Sequence, residues 1–227
     1  LNSYNGNRET EDFKNFVTYA KRVFFSNGIH HHYAEDKFFP EISEDYFAEL
    51  VKNSDANQLP LAENETVEEF LTFITPVMFD KDLYATRRSG DDDIIKNSAT
   101  NFYKGDISKE EVERFYDAQR VPNDATPISY GLNSQLVKEN GKIYENVYKS
   151  GGLYGEAIDQ IIYWLEKANA VAENEAQRNY TNLLIDYYKT GDLKTWDEYN
   201  VAWVQDSVST IDFVNGFIED YGDPMGM

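Results

Sequence analysis

The chain contains no cysteine, which excludes disulfides, thiolate metal sites and cysteine nucleophiles. Basic residues are scarce. Only 21 Lys and Arg stand against 41 Asp and Glu, a formal net charge of −20. Phosphate backbones and anionic bilayer surfaces are repelled by such a chain, so nucleic acid is excluded as a partner. No apolar run approaches the roughly 18 residues that a membrane-spanning helix needs. No secretory signal opens the chain. It begins at Leu1 rather than Met. The expected compartment is the cytoplasm, with export also open because a targeting segment could have been removed. Histidine is confined to one place, His30-His31-His32.

What is abundant points to a folded core. Aromatic residues make up 15% of the 227 residues, with 17 Tyr and 14 Phe, and hydrophobic residues 41%. That apolar content argues against disorder.

Helical periodicity dominates the first half. Thr10 caps a helix carrying Phe13, Phe16, Val17, Ala20, Val23 and Phe24, which ends near Gly28. Ser43 caps a second, with Tyr46, Phe47, Leu50 and Val51 as its apolar residues. Thr66 and Glu69 form a capping box for a third, and Pro76 is expected to end or restart it. Residues 80–100 read as a loop. Ser108 and Glu111 box a fourth helix, with Val112, Phe115 and Tyr116 turned inward.

Beyond Pro122–Pro127 the pattern changes. Tyr130–Val137 and Lys142–Tyr148 read as strands joined at Asn140-Gly141, a strong hairpin signal. Three helices follow: about 153–172, one capped by Asn174 and ended by Gly191, and one from Asp192 with a Thr195–Glu198 box and buried Tyr199, Ala202 and Trp203. Part of 207–221 reads as a late strand. The expected fold is α+β and mostly α, with helices around a small antiparallel β portion. The expected division is 1–125 and 126–227, with one continuous domain equally compatible.

Isolated motifs carry little chemistry. Consecutive histidines on a strand place only the first and third on one face. A zinc site needs three or four ligands at about 2.0–2.3 Å, so the triplet reads as a polar or aromatic-packing loop. Asp91-Asp92-Asp93 lacks the alternating ligands, central Gly and terminal Glu of an EF-hand. Gly151-Gly152 lacks the Lys-Ser/Thr pair of a phosphate loop. No nucleophile elbow, kinase set or dinucleotide fingerprint is present.

Collinear segments do carry a resemblance. They are Asn27-Gly28-Ile29 through Lys37-Phe38-Phe39-Pro40, Thr100–Gly105, Leu132–Glu139, Leu165-Glu166-Lys167-Ala168, Thr190-Gly191-Asp192 and Trp203-Val204-Gln205-Asp206. Last comes Gly216-Phe217-Ile218-Glu219-Asp220-Tyr221-Gly222-Asp223-Pro224. Together they resemble the dipeptidyl peptidase III family, and the triple histidine resembles its bacterial branch. Those enzymes are two-lobed zinc exopeptidases that release dipeptides from peptide N-termini. The family's His-Glu zinc helix and second Glu-rich helix are absent from this sequence.

The resemblance therefore implies the non-catalytic, substrate-binding lower lobe, whose partners are a peptide and the catalytic lobe of the same polypeptide. It implies zinc in the full-length enzyme and none in this chain. It also implies that Asp212, where the family has Glu, holds the substrate amine. Val214 stands where the family often has a peptide-contacting Tyr. Phe213, Asn215 and Tyr221 are weaker substrate-binding candidates, and no catalytic or metal residue is expected here. The rival expectation is a non-enzymatic helical module whose acidic face binds a basic partner.

Overall fold

The computed structural model describes residues 1–90, 93–215 and 223–225. Two compact units divide the chain, one of residues 1–92 and 96–99, the other of 93–95 and 100–227.

The first unit is built on α1 (Glu11–Phe25), α2 (Glu44–Lys52) and α3 (Val67–Phe79). Each helix begins where side-chain chemistry allows. Thr10, Ser43 and Thr66 accept from the backbone N–H groups of Phe13, Tyr46 and Glu69, and Glu69 returns the bond to complete a capping box. Phe47, Val51, Tyr19 and Met78 form the buried centre. Pro76 neither ends nor restarts α3, which runs on to Phe79. Proline costs one hydrogen bond to the preceding turn. Here the turn beyond it is held by burial of Met78 and by Phe79, whose ring lies 6.1 Å from that of Phe47. Phe24 departs from the apolar stripe of α1 and is 76% exposed. The stretch expected to be a loop contains a short helix, α4 (Ile94–Asn97).

The second unit is α+β and mostly α. It holds β1 (Tyr103–Lys104), α5 (Lys109–Asp117), β2 (Ser134–Glu139), β3 (Lys142–Val147), α6 (Gly155–Ala170), α7 (Glu175–Thr190) and α8 (Leu193–Gln205). The hairpin forms where Asn140 and Gly141 both take positive φ, 51° and 75°, as a two-residue turn requires. It pairs Leu136 with Glu145 and Val137 with Tyr144. Its first strand starts at Ser134 rather than Tyr130, since residues 130–133 are spent on a turn. The sheet is mixed, not purely antiparallel, because β1 joins β2 in parallel. Leu136, Ile107, Val112 and Tyr116 close the core beneath it.

The helices α6, α7 and α8 bury a second core of Ile158, Ile162, Tyr180, Leu184, Ile185, Tyr187, Tyr188 and Tyr199. Gly191 ends α7 at φ 73°, a left-handed cap that suits glycine. A Cβ there would meet Val147 Cγ1 at 2.5 Å, so the hairpin requires the bare backbone too. The cap of α8 is Asp192, which accepts from Lys194 N; Thr195 and Glu198 form no box. Of the late strand expected within 207–221, residues 207–215 pair with no strand among the described residues, and 216–221 lie outside them. Residues 207–215 run along α7 and α8 instead, held by side chains.

Candidate functional site

Four of the five candidate residues, Asp212, Phe213, Val214 and Asn215, lie together after α8. Tyr221 lies outside the described residues. The segment is fixed by polar groups that reach its backbone. Asp206 accepts from Val208 N and Ser209 N at 3.2 Å, and from the Ser209 hydroxyl. Asn174, already the cap of α7, also donates to Ser209 Oγ at 2.8 Å. The Glu173 carboxylate accepts from Thr210 N at 3.0 Å and Ile211 N at 2.8 Å. These N–H bonds hold its carboxyl below the usual carboxylate range. Gln177 Nε2 donates to Ile211 O at 2.9 Å.

From Asp212 onward the side chains alternate. Asp212 and Val214 are exposed, and Phe213 and Asn215 are half-buried. Alternation of this kind is the period of an extended backbone. Phe213 packs on Tyr180, ring centres 6.1 Å apart. Asn215 Oδ1 accepts from Tyr188 OH at 2.6 Å. The main-chain N–H of Val214 and the carbonyls of residues 212–214 make no hydrogen bond among the described residues.

Asp212 is oriented by its neighbours. Its Oδ1 accepts from Trp203 Nε1 at 3.0 Å and from Phe213 N at 2.7 Å. Oδ2 has no partner among the described residues. Burial, and then the negative charge of Asp212, pushes the Tyr199 phenol up to about 12. Asp212, Phe213, Val214 and Asn215 share a cavity of about 380 Å³ with Trp196, Tyr199, Asn200 and Trp203. That size falls in the range of small-ligand pockets. Trp203 is 36% exposed and forms a cavity wall; it is not the buried helix residue its spacing suggested.

The site thus offers one open carboxylate oxygen, aromatic walls and an extended backbone whose carbonyls at 212–214 have no partner among the described residues. Sequence patterning missed Glu173, Gln177, Tyr188 and Trp203 as its supports. Their partners lie 9 to 38 residues away along the chain, a separation that local spacing does not reveal.

The histidine triplet lies in the first unit. His30 is buried and its Nε2 is 2.8 Å from Tyr84 O; burial leads in lowering its pKa. His31 Nδ1 accepts from Tyr33 N and Ala34 N. His32 sits edge-on to Tyr33 at 4.8 Å. Among the described residues no three His, Asp or Glu are gathered to hold a metal ion, and no helix is long and apolar enough to cross a membrane.

Residues 83–227 match Peptidase family M49, and the chain belongs to that family. Dipeptidyl peptidase 3 of Mus musculus is 23% identical over 245 residues, covering 95% of this chain and 32% of that protein. The Homo sapiens protein of the same name is 22% identical over 256 residues, with coverages of 95% and 32%. The chain thus spans about a third of the length of these curated relatives. The solved structure of DPP III from Caldithrix abyssi covers 97% of this chain and 37% of its own, with 19% identity and a TM-score of 0.44.

Proposed function

We propose that this chain is the substrate-binding portion of a zinc-dependent dipeptidyl peptidase, and that it holds the N-terminal end of an extended peptide. One observation carries the proposal. A carboxylate with an open oxygen stands at the head of an extended backbone whose carbonyls at 212–214 and Val214 N–H have no partner among the described residues. A peptide laid beside residues 212–214 would gain main-chain hydrogen bonds that accept many side chains. Its α-ammonium would meet Asp212 Oδ2. A charge-assisted bond of that kind contributes about 1.5–3 kcal/mol, enough to favour a register counted from the free N-terminus. Trp203 keeps the carboxylate in place while the second oxygen binds.

Val214 is 95% exposed. Its contribution is backbone pairing, with an apolar side chain beside the peptide. Phe213 anchors the segment from beneath. Zinc and the general base are assigned to the catalytic lobe in the remainder of the polypeptide, and this chain alone is expected to leave peptides intact.

The test is hydrolysis of dipeptidyl arylamides by the complete polypeptide, with and without chelator, alongside this chain. Chelator-sensitive release by the former and none by the latter is expected. Asp212→Ala in the complete polypeptide should raise KM with little change in kcat. No release by folded, zinc-loaded polypeptide would overturn the proposal in favour of an acidic helical interaction module.

A further inference from the structure

A second cavity lies on the other side of α8. Lys194, Asp197, Glu198, Val201 and Gln205 line it. At roughly 3.6 residues per turn these five fall within about 100° of the helix circumference. That face is turned away from Trp196, Tyr199 and Trp203, which line the candidate site. Leu183 of α7 and the loop carrying Asp124 and Ile128 complete the walls of a groove of about 500 Å³, within the range of small-ligand pockets.

The walls are of two kinds. Leu183 and Ile128 are half-buried and apolar, and Val201 stands 59% exposed beside them. Around them are three carboxylates, Asp124, Asp197 and Glu198, and one ammonium, Lys194. The ammonium does not neutralise its neighbours. Lys194 precedes Asp197 and Glu198 by three and four residues, yet the side chains of all three lack a hydrogen-bond or ion-pair partner among the described residues. Base before acid is the less favourable order for helix pairs of this spacing. Asp124 spends one oxygen on the Thr126 N–H at 2.9 Å and joins no ion pair among the described residues.

Asp197 is half-buried, and burial, followed by the charge of Asp192, raises its pKa. Its charge is thus partly withdrawn from water with no cation paired to it. A cation seated beside it would restore what burial removed. An aliphatic stem behind that cation would cover Leu183 and Ile128. Arginine supplies both parts, a stem that packs on apolar surface and a planar cation whose donors can address two carboxylates. The net charge of −20 draws such a partner and repels acidic ones.

We propose that this groove is a docking site for an arginine-bearing segment of a partner polypeptide, with Asp197 and Glu198 receiving the guanidinium and Leu183, Ile128 and Val201 the stem. The site is separate from residues 212–215 and does not depend on their role.

Calorimetry on the 227-residue chain with acetyl-Ala-Arg-Leu-Arg-Ala-amide at physiological ionic strength tests it. The blocked peptide has no terminal ammonium, so amine capture elsewhere is not what is read. Binding is expected, and a counterpart with citrulline for arginine should not bind. Asp197→Asn should weaken the arginine peptide roughly tenfold, the scale of one hydrogen bond to a charged group. Glu63→Gln removes the same charge from an exposed position of the first unit and should change nothing. Val201→Arg places a guanidinium in the groove from an exposed position and should abolish binding. Equal weakening by Asp197→Asn and Glu63→Gln would reduce the attraction to net charge and overturn the proposal. Equal affinity for the citrulline peptide would overturn it too, as would spermine matching the arginine peptide, which would make the groove a site for free polyamines. A complete polypeptide that releases no dipeptides would leave each of these readouts unaltered.

Discussion

Trp203 Nε1 donates to Asp212 Oδ1 across 3.0 Å, from the last turn of α8 to the segment that follows it. The indole spends its one donor on the carboxylate oxygen that also receives Phe213 N. The charge is thereby fixed in direction without being neutralised. Trp203→Phe keeps a ring in the cavity wall and removes the donor. Free-amine peptides should bind about three- to tenfold more weakly, on the scale of one ordinary hydrogen bond. Calorimetry with tetraalanine measures this, and an unchanged affinity would show that the indole does not orient Asp212.

Glu173 does for the main chain what Trp203 does for the side chain. It receives the N–H groups of both Thr210 and Ile211. Its carboxyl is held below the usual carboxylate range by those bonds. A lowered pKa in the folded state gives an interaction present above the unfolded value and lost as pH falls through the folded one. The grip on residues 210 and 211 should therefore weaken in acid, below the ordinary glutamate pKa. Glu173→Ala should produce the same release at neutral pH. Limited chymotrypsin digestion, followed at Phe213, should be faster in the variant while cleavage within α7 is unaltered.

At the alkaline end the sign reverses. Burial pushes Tyr188 and Tyr199 up to about 12 from an ordinary value of 10.0. Between those values the unfolded chain loses protons that the folded one keeps. Stability is thus intact below pH 10 and declines as pH rises toward 12. Urea midpoints measured across this window should fall, and should fall less in Tyr188→Phe. A flat profile would mean that these phenols ionise without unfolding the helices.

Gly191→Ala should destabilise the second unit by more than about 1 kcal/mol. The added methyl group meets a left-handed φ and the Val147 side chain together. Ile158→Ala, at a fully buried position, should cost about 2–5 kcal/mol. Equilibrium urea unfolding reads both.

Local chemistry was legible in the sequence, and distant pairing was not. Thr10, Ser43, Thr66, Ser108 and Asn174 could be read as caps because a cap bonds to a backbone group three residues away. Asn140-Gly141 announced its turn for the same reason. Tyr103 gave no such signal. Its strand has two residues and exists only because Leu136 lies beside it. Pro76 was read by its intrinsic cost, which packing by Met78 and Phe79 overrides. At the site, resemblance pointed to the run from Asp212 to Asn215. Nothing in the spacing of that run showed that Glu173 and Gln177, more than thirty residues earlier, would hold it.

The Tyr103 hydroxyl donates to Asp223 Oδ1 at 2.7 Å, across 120 positions of sequence. The four helices α5 to α8 between them need only short-range encounters and can form as they leave the ribosome. The small sheet cannot be sealed in that order. Its first strand is synthesised early and remains without this carboxylate until residue 223 has been made. Vectorial synthesis therefore leaves the Tyr103 hydroxyl without this carboxylate for most of the time the second unit takes to emerge, the interval in which a nascent chain is most open to chaperone capture or mispairing.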